Sequence, residues 1–220
     1  MGFRRLVPLA LLFFVAGSAP AADESGCIPL ASFDDAAVGS FPAGWRVRTD
    51  EGKKVYQVQR DGEREFLRAD AEGLGIQAAR EHQWNLDEYP VLAWSWRPRR
   101  FPNGADERTG KNDSVLSLYM LVPYSRVRGP RAVKYVWSAA VPEGTRLESN
   151  GGLTQVRVLR TGSDPRDEWT EERVNVRDDF RAFFEEQTTP TPAGIAVLTD
   201  ADDTGSRAIG DYTDVRACRE

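Results

Sequence analysis

The 220-residue chain carries 29 basic and 34 acidic side chains, which give it a net charge of −5 with one histidine and two cysteines. A net acidic chain with scattered basic residues lacks the broad positive field that nucleic-acid binding requires, so no nucleic-acid partner is expected. The length is enough for one domain with its own hydrophobic core.

The first residues have the three-part pattern of a secretory signal peptide. A basic start precedes an apolar run over residues 6–15, and Ala19 and Ala21 occupy the positions of a signal-peptidase site. The run is too short to span a bilayer. The pattern predicts a signal peptide over residues 1–21, a single mature domain over residues 22–220 without a transmembrane segment, and a periplasmic or secreted location.

The only two cysteines, Cys27 and Cys218, lie near the two ends of the predicted mature chain. In an oxidising compartment, two cysteines without competitors favour a disulfide over two free thiols. If the first and last strands pair antiparallel, the start of one lies beside the end of the other. The pattern therefore predicts a Cys27–Cys218 bridge that closes the domain.

The mature chain contains many short segments of strand character, separated by turn residues. An Asp61-Gly62 turn joins two of them into a predicted hairpin. Many short strands at fairly regular spacing predict an all-β fold, an antiparallel sandwich. The predicted strands cover residues 27–33, 55–58, 65–68, 91–96, 114–122, 133–137, 153–159, 169–176, 194–199 and 212–218.

A single short helix is predicted over residues 176–186. Asn175 is placed to cap its first turn, and Phe180, Phe183 and Phe184 recur at the spacing of one helical face. An aromatic stripe at this spacing is typical of core packing rather than of a ligand site.

Several short motifs follow one another along nearly all of the mature chain. They are YPVLAWSW at 89–96, GADER at 104–108, ND at 112–113, KYVWS at 134–138, ERV at 172–174, DDF at 178–180 and TDADDTG at 199–205. In this order they resemble a family of exported bacterial proteins known only as domain-of-unknown-function family 3047. The resemblance implies a jelly-roll sandwich similar to carbohydrate-binding modules and galactose-binding-like domains, and it implies no activity.

Aromatic and charged residues on neighbouring predicted strands suggest a ligand-binding face. Flat rings suit the CH faces of sugars, and carboxylates and guanidinium groups suit their hydroxyls. The alternative is a tryptophan-rich core with a rim of ion pairs. The ligand-binding set is Trp94, Trp96, Arg108, Asp113, Tyr119, Tyr135, Trp137, Glu172 and Arg173, with Tyr119 and Trp137 favoured.

An acidic turn near the C-terminus has the spacing of a calcium loop. Asp200, Asp202 and Thr204 fall at its first, third and fifth positions, Gly205 at the sixth and Asp211 at the twelfth. The flanks have strand character, so the turn is no EF-hand, and a solvated turn without metal is the alternative. A structural calcium is the one cofactor that this pattern suggests.

Catalytic signals are weak. His82 is the only histidine, which leaves few ligands for zinc and one possible base for a serine triad. Asp106 or Asp113 opposite Glu172 would offer the two carboxylates of a glycoside hydrolase or lyase.

Three functions therefore remain open at this stage. We favour non-catalytic binding of a glycan-like or other polar ligand in the cell envelope. The alternatives are the carboxylate-based enzyme and an envelope assembly or interaction protein with an unknown protein partner.

Overall fold

The computed structural model describes residues 26–34 and 36–220, so the predicted signal peptide over residues 1–21 lies outside the described residues. None of the helices described there is long and apolar enough to cross a membrane. The described chain forms α1 (Asp50–Val55), α2 (Val176–Phe184), a single 3-10 turn (Asn150–Gly152) and fourteen strands. These are β1 (Cys27–Ala31), β2 (Trp45–Arg46), β3 (Tyr56–Asp61), β4 (Arg64–Glu72), β5 (Ala78–Glu81), β6 (Val91–Arg100), β7 (Leu116–Ser125), β8 (Gly129–Ser138), β9 (Arg146–Ser149), β10 (Thr154–Thr161), β11 (Thr170–Asn175), β12 (Gly194–Leu198), β13 (Arg207–Tyr212) and β14 (Val215–Cys218).

The strands form two seven-stranded sheets. The first sheet has the order β1-β14-β6-β13-β4-β3, with β11 on the other side of β6, and the second has the order β2-β5-β12-β7-β8-β10-β9. Pairing is antiparallel except between β8 and β10. One hydrophobic cluster takes side chains from both sheets. The predicted all-β, antiparallel jelly-roll sandwich is confirmed.

Four aromatic residues expected on the ligand-binding face lie in the core instead. Trp94 and Trp96 of β6 and Tyr135 and Trp137 of β8 are at most 1% exposed. Ring centroids are 5.2 Å apart for Trp94 and Trp96 and 6.0 Å apart for Trp96 and Trp137. The expectation of an open aromatic face is corrected for these four, because the period of two that aligns them turns them towards the facing sheet.

The predicted disulfide is confirmed. Cys27 and Cys218 are directly paired in the antiparallel β1–β14 ladder, and their sulfur atoms are bonded at 2.04 Å. A bridge across so long a loop stabilises the folded state by about 2–5 kcal/mol, chiefly by restricting the unfolded chain.

The predicted helix is confirmed as α2. The Asn175 side chain accepts a hydrogen bond from the backbone N–H of Asp178, and Glu185 ends the helix in the left-handed conformation. Phe180 is buried, and Phe183 and Phe184 pack against the core as expected.

Three features depart from the sequence prediction. The helix α1 was not expected, because its segment contains Gly52 and has no apolar stripe; Thr49 caps it. The strand predicted over residues 212–218 is divided between β13 and β14, where Asp214 accepts a hydrogen bond from the backbone N–H of Phe33. The short strands β2, β5 and β9 carry too few residues to show a periodic pattern.

Candidate functional site

The outer face of the second sheet combines apolar and charged residues. In β7, Leu116, Leu118 and Met120 point into the core, so Ser117 and Tyr119 point outwards.

Tyr119 lies directly opposite Lys134 of β8 on one side and Ala196 of β12 on the other. Alternation thus carries a lysine and a tyrosine to the centre of the outer face.

A groove crosses this outer face. It encloses about 590 Å³ and runs over side chains from β2, β5, β12, β7, β8 and the start of β10. Apolar side chains such as Leu121, Ala132 and Leu198 form part of its surface. Hydrogen-bonding side chains supply the rest: Arg46, Arg48, Gln77, Tyr119, Asn150 and Thr154. This set of residues is called the groove below.

Lys134 and Tyr119 form a buried pair beneath the groove. Both residues are 7% exposed, and the lysine ammonium lies 5.4 Å from the centroid of the tyrosine ring. Burial raises the pKa of Tyr119, although the charge of Lys134 opposes this. Burial also opposes the charged form of the lysine, yet the pKa of Lys134 is raised because Tyr119 and the Asp200 carboxylate stabilise the ammonium.

Three carboxylates meet at one edge of the groove. Asp113 lies before β7, and Asp200 and Asp202 lie in the turn after β12; one oxygen from each falls within 4.8 Å of the others. Asp113 is fully buried, Asp200 is 7% exposed and Asp202 is exposed. Gly75, which lines the groove, lies against Asp200 and Asp202. These three aspartates are called the acidic cluster below.

Asp113 organises the turn that carries the other two carboxylates. Its Oδ1 accepts from the backbone N–H of Asp203 at 3.2 Å. Its Oδ2 accepts from the backbone N–H and the hydroxyl of Thr204 at 2.9 Å and 2.6 Å. The turn is therefore held in place by a residue from a distant part of the chain.

The pKa of Asp200 is strongly shifted by its surroundings. Burial raises the pKa of Asp200 to about 8, with Lys134 acting in the opposite direction and the charges of Asp202 and Asp113 adding to the rise. Its Oδ1 is buried and has no hydrogen-bond donor among the residues that the structure describes.

The cluster only partly matches the predicted calcium ligands. Asp200 and Asp202 are present and Asp113 joins them, while the hydroxyl of Thr204 donates a hydrogen bond to Asp113. Asp211 lies on the first sheet, where Arg68 and Arg97 donate to its carboxylate. The expectation of Asp211 as a ligand is corrected, because a β-strand rather than a continuous loop separates it from the turn.

The remaining predicted site residues do not gather in the groove. Arg108 forms an exposed pair with Asp106, at 2.6 Å between Nη2 and Oδ2. Arg173 donates to the backbone carbonyl of Arg219 at an exposed position.

Glu172 has a structural environment. It is 7% exposed on β11, where it accepts hydrogen bonds from the indole N–H of Trp96 at 3.0 Å and from Arg160 at 2.7 Å. The hydrolase hypothesis places Asp106 or Asp113 opposite Glu172. Each of these three carboxylates instead accepts hydrogen bonds from other groups of the protein.

Several site residues were missed from sequence. Lys134 was not predicted as a site residue. A lysine within the apolar run of β8 could have indicated it, because lysine is seldom buried without a partner. Glu107, which accepts from the hydroxyls of Ser114 and Ser138, also lies close to this region. Gly75 and Gln77 gave no local signal, because only the fold brings them to the groove.

Comparison with solved structures finds many similar chains, among them three carbohydrate-related proteins. The glycoside hydrolase domain of Endo-D, Spr0440, from Streptococcus pneumoniae R6 is 8% identical with a TM-score of 0.39; the match covers 79% of this chain but 21% of that one. The carbohydrate-binding module CBM28, specific for non-crystalline cellulose, is 10% identical with a TM-score of 0.46, and 86% and 93% of the two chains are covered. The family 11 xylanase of Neocallimastix patriciarum is 12% identical with a TM-score of 0.33, and 82% and 94% are covered.

Sequence comparison assigns the family. No curated protein matches the chain in sequence. One family model, described as a protein of unknown function, matches residues 43–216, which is most of the chain. The chain therefore belongs to the DUF3047 family.

Proposed function

We propose that the protein binds a glycan-like polar ligand in the groove and does not catalyse a reaction on it. The observation that carries this proposal is the groove itself, which has a volume of about 590 Å³ and a mixed lining. Binding sites for small ligands span roughly 300–1,000 Å³ and combine apolar surface with a few placed polar groups.

The lining fits the two surfaces that a sugar presents. Leu121, Ala132 and the ring of Tyr119 offer apolar surface for CH groups. Gln77, Asn150 and Thr154 bring hydrogen-bond donors and acceptors from separate segments of the chain. Because these groups stand around a common space, one oligosaccharide would meet both kinds of surface at once.

The carboxylates outside the acidic cluster support a binding protein over a hydrolase. A general acid or nucleophile must reach the bond that it cleaves. Glu172 is held by Trp96 and Arg160, and Asp106 is held by Arg108. Neither Glu172 nor Asp106 lines the groove.

We also propose a periplasmic or secreted location. The Cys27–Cys218 disulfide is compatible with it, since structural disulfides persist mainly in oxidising compartments. The proposed ligand is therefore a sugar polymer of the cell envelope or its surroundings.

Isothermal titration of the oxidised mature protein against neutral and acidic oligosaccharides tests the proposal. We expect at least one to bind, and Gln77→Ala to weaken it by about three- to tenfold through the loss of one hydrogen bond. Gln57→Ala is the matched control, since Gln57 is an exposed glutamine on β3 of the first sheet.

The same samples give the catalytic test. The bound oligosaccharide should be recovered intact after long incubation, and release of new reducing ends would contradict a non-catalytic role. The groove would be rejected as the binding site if no oligosaccharide of the panel bound. It would also be rejected if Gln77→Ala and Gln57→Ala lowered the affinity equally. Recovery of a protein partner in place of any sugar would favour the interaction hypothesis.

A further inference from the structure

The acidic cluster has the composition of a site for a hard cation. Three carboxylates from two distant segments place one oxygen each within 4.8 Å of one another. A shared cation would allow all three carboxyl groups to be ionised together, because it offsets the repulsion between their negative charges. Exposed acidic groups often lie together without an ion, so the three carboxylates alone do not identify a metal site.

The second observation is an unsatisfied buried oxygen. Asp200 is 7% exposed, and its Oδ1 has no hydrogen-bond donor within residues 26–34 and 36–220. The side chain of Asp202 lies next to the carboxyl group of Asp200. A carboxylate has only acceptor oxygens, so it cannot supply the missing donor. A buried acceptor without a donor is costly to keep, and a bound cation would satisfy it.

The third observation is the glycine beside the two carboxylates. A Cβ atom on Gly75 would lie 2.4 Å from Oδ1 of Asp200 and 2.9 Å from Oδ2 of Asp202. Both oxygens therefore face the same small space, which any other residue would occupy. The backbone of Gly75 is not left-handed, so turn geometry does not account for the glycine.

We propose that Asp113, Asp200 and Asp202 bind a divalent cation, and that the cation is calcium. Carboxylate oxygens are the ligands that calcium prefers, with backbone carbonyls and water completing its shell. Zinc and copper sites draw mainly on histidine and cysteine. Here both cysteines form the disulfide, and no histidine belongs to the cluster within the described residues.

The proposed ion has a structural consequence. It joins the turn after β12 to the segment before β7, and Gly75 connects it to the edge of the groove. Calcium would therefore hold this edge in place. The proposal does not depend on which ligand occupies the groove.

Calcium binding to the EDTA-treated mature protein tests the proposal, by isothermal titration and by thermal unfolding. A ligand of the folded state raises the melting temperature, so we expect calcium to raise it and EDTA to reverse the rise. No response to calcium would overturn the proposal, and a response to magnesium alone would overturn the choice of calcium.

Two pairs of variants locate the site. Gly75→Ala should abolish binding by filling the space between the carboxylates, whereas Gly110→Ala, at a position with no neighbouring atoms within 4 Å and no left-handed backbone, should bind normally. Asp202→Asn removes one exposed charge and should weaken calcium binding by about tenfold or more.

The charge control is Asp203→Asn, at the exposed neighbour outside the cluster, which should keep the wild-type affinity. If Gly75→Ala does not fold, the calcium affinities of the Asp202 and Asp203 variants test the location of the site. Equal affinities for that pair would overturn the assignment of the site.

Discussion

The two sheets of the sandwich differ in the hydrogen-bond partners of their buried aspartates. On the first sheet, Asp211 is fully buried but receives hydrogen bonds from Arg68 on β4 and from Arg97 on β6. In the turn after β12 of the second sheet, Asp200 is almost as buried, yet its Oδ1 has no donor among the described residues. A buried carboxylate with arginine partners on both neighbouring strands stabilises the fold. A buried carboxylate oxygen without a donor can instead bind a ligand from solvent.

Strand register explains why the buried charge of the first sheet is paired. Asp211 lies directly opposite both Arg68 and Arg97, so alternation places all three on the outer side. Arg97 also stacks on Trp169, 4.4 Å from the ring centroid, which covers the row of charges. The groove lies on the outer face of the second sheet.

Removal of the Asp211 charge should lower the stability of the protein more than any other substitution predicted below. In Asp211→Asn the buried guanidinium of Arg97 loses its main partner, and we expect a loss of about 3–5 kcal/mol in the free energy of unfolding. Urea unfolding measures it.

The control for this prediction is Asp70→Asn. Asp70 pairs with Arg207 while both side chains are more than a third exposed, so its loss should cost about 0–1 kcal/mol. Similar losses for the two variants would abolish the distinction between a buried charge row and surface pairs.

The disulfide comes next. Replacing both cysteines, Cys27→Ser with Cys218→Ser, should lower the free energy of unfolding by about 2–5 kcal/mol, since it releases the loop that spans the domain. Guanidinium unfolding of the variant and of the oxidised wild type measures the difference. Because the bridge lies on the first sheet, ligand and calcium binding should persist wherever the variant is folded; their loss would contradict the separation of the two faces.

A smaller effect is expected at Glu172. In Glu172→Gln the ion pair with Arg160 is lost while an acceptor remains for Trp96, so we expect a loss of about 1–3 kcal/mol with unchanged ligand binding. Glu171→Gln, at the exposed neighbour, should change stability by less than about 0.5 kcal/mol. An oligosaccharide-cleaving activity that disappears in the Glu172 variant alone would restore the hydrolase hypothesis.

The smallest effect is expected at Ser117, on the outer side of β7. Its hydroxyl is buried and has no partner among the described residues, so Ser117→Ala should change the free energy of unfolding by no more than about 1 kcal/mol, in either direction. Ser138→Ala should cost more, because that hydroxyl donates to Glu107 and accepts from the backbone N–H of Val141. Thermal unfolding compares them, and the reverse order would show that Ser117 has a partner.

Much of the fold was predictable because its signals are local. The hairpin at Asp61-Gly62 and the cap at Asn175 each depend on a few neighbouring residues, and both occur as expected. The disulfide was predictable because only one pairing was possible. The helix α1 and the short strands were not, because their residues show no period and tertiary packing decides their conformation.

The site was predictable only in part. The sequence pattern predicts Asp113, Tyr119, Asp200 and Asp202 as site residues, and all four lie in or beside the groove. Trp94 and its aromatic neighbours were expected there and lie in the core. Alternation shows that residues share a face, but it does not show which face turns inwards.

Periodicity, capping and covalent chemistry are local, so the amino-acid pattern is enough to predict the all-β fold, the helix α2 and the closing disulfide. Which face of each sheet lies inside, and which distant residues meet, depends on how the two sheets pack. Gly75, Asp113 and Asp200 come together only because β5, β7 and β12 are neighbours in the second sheet. No local pattern encodes that neighbourhood, since strand order is set by the packing of the whole sandwich.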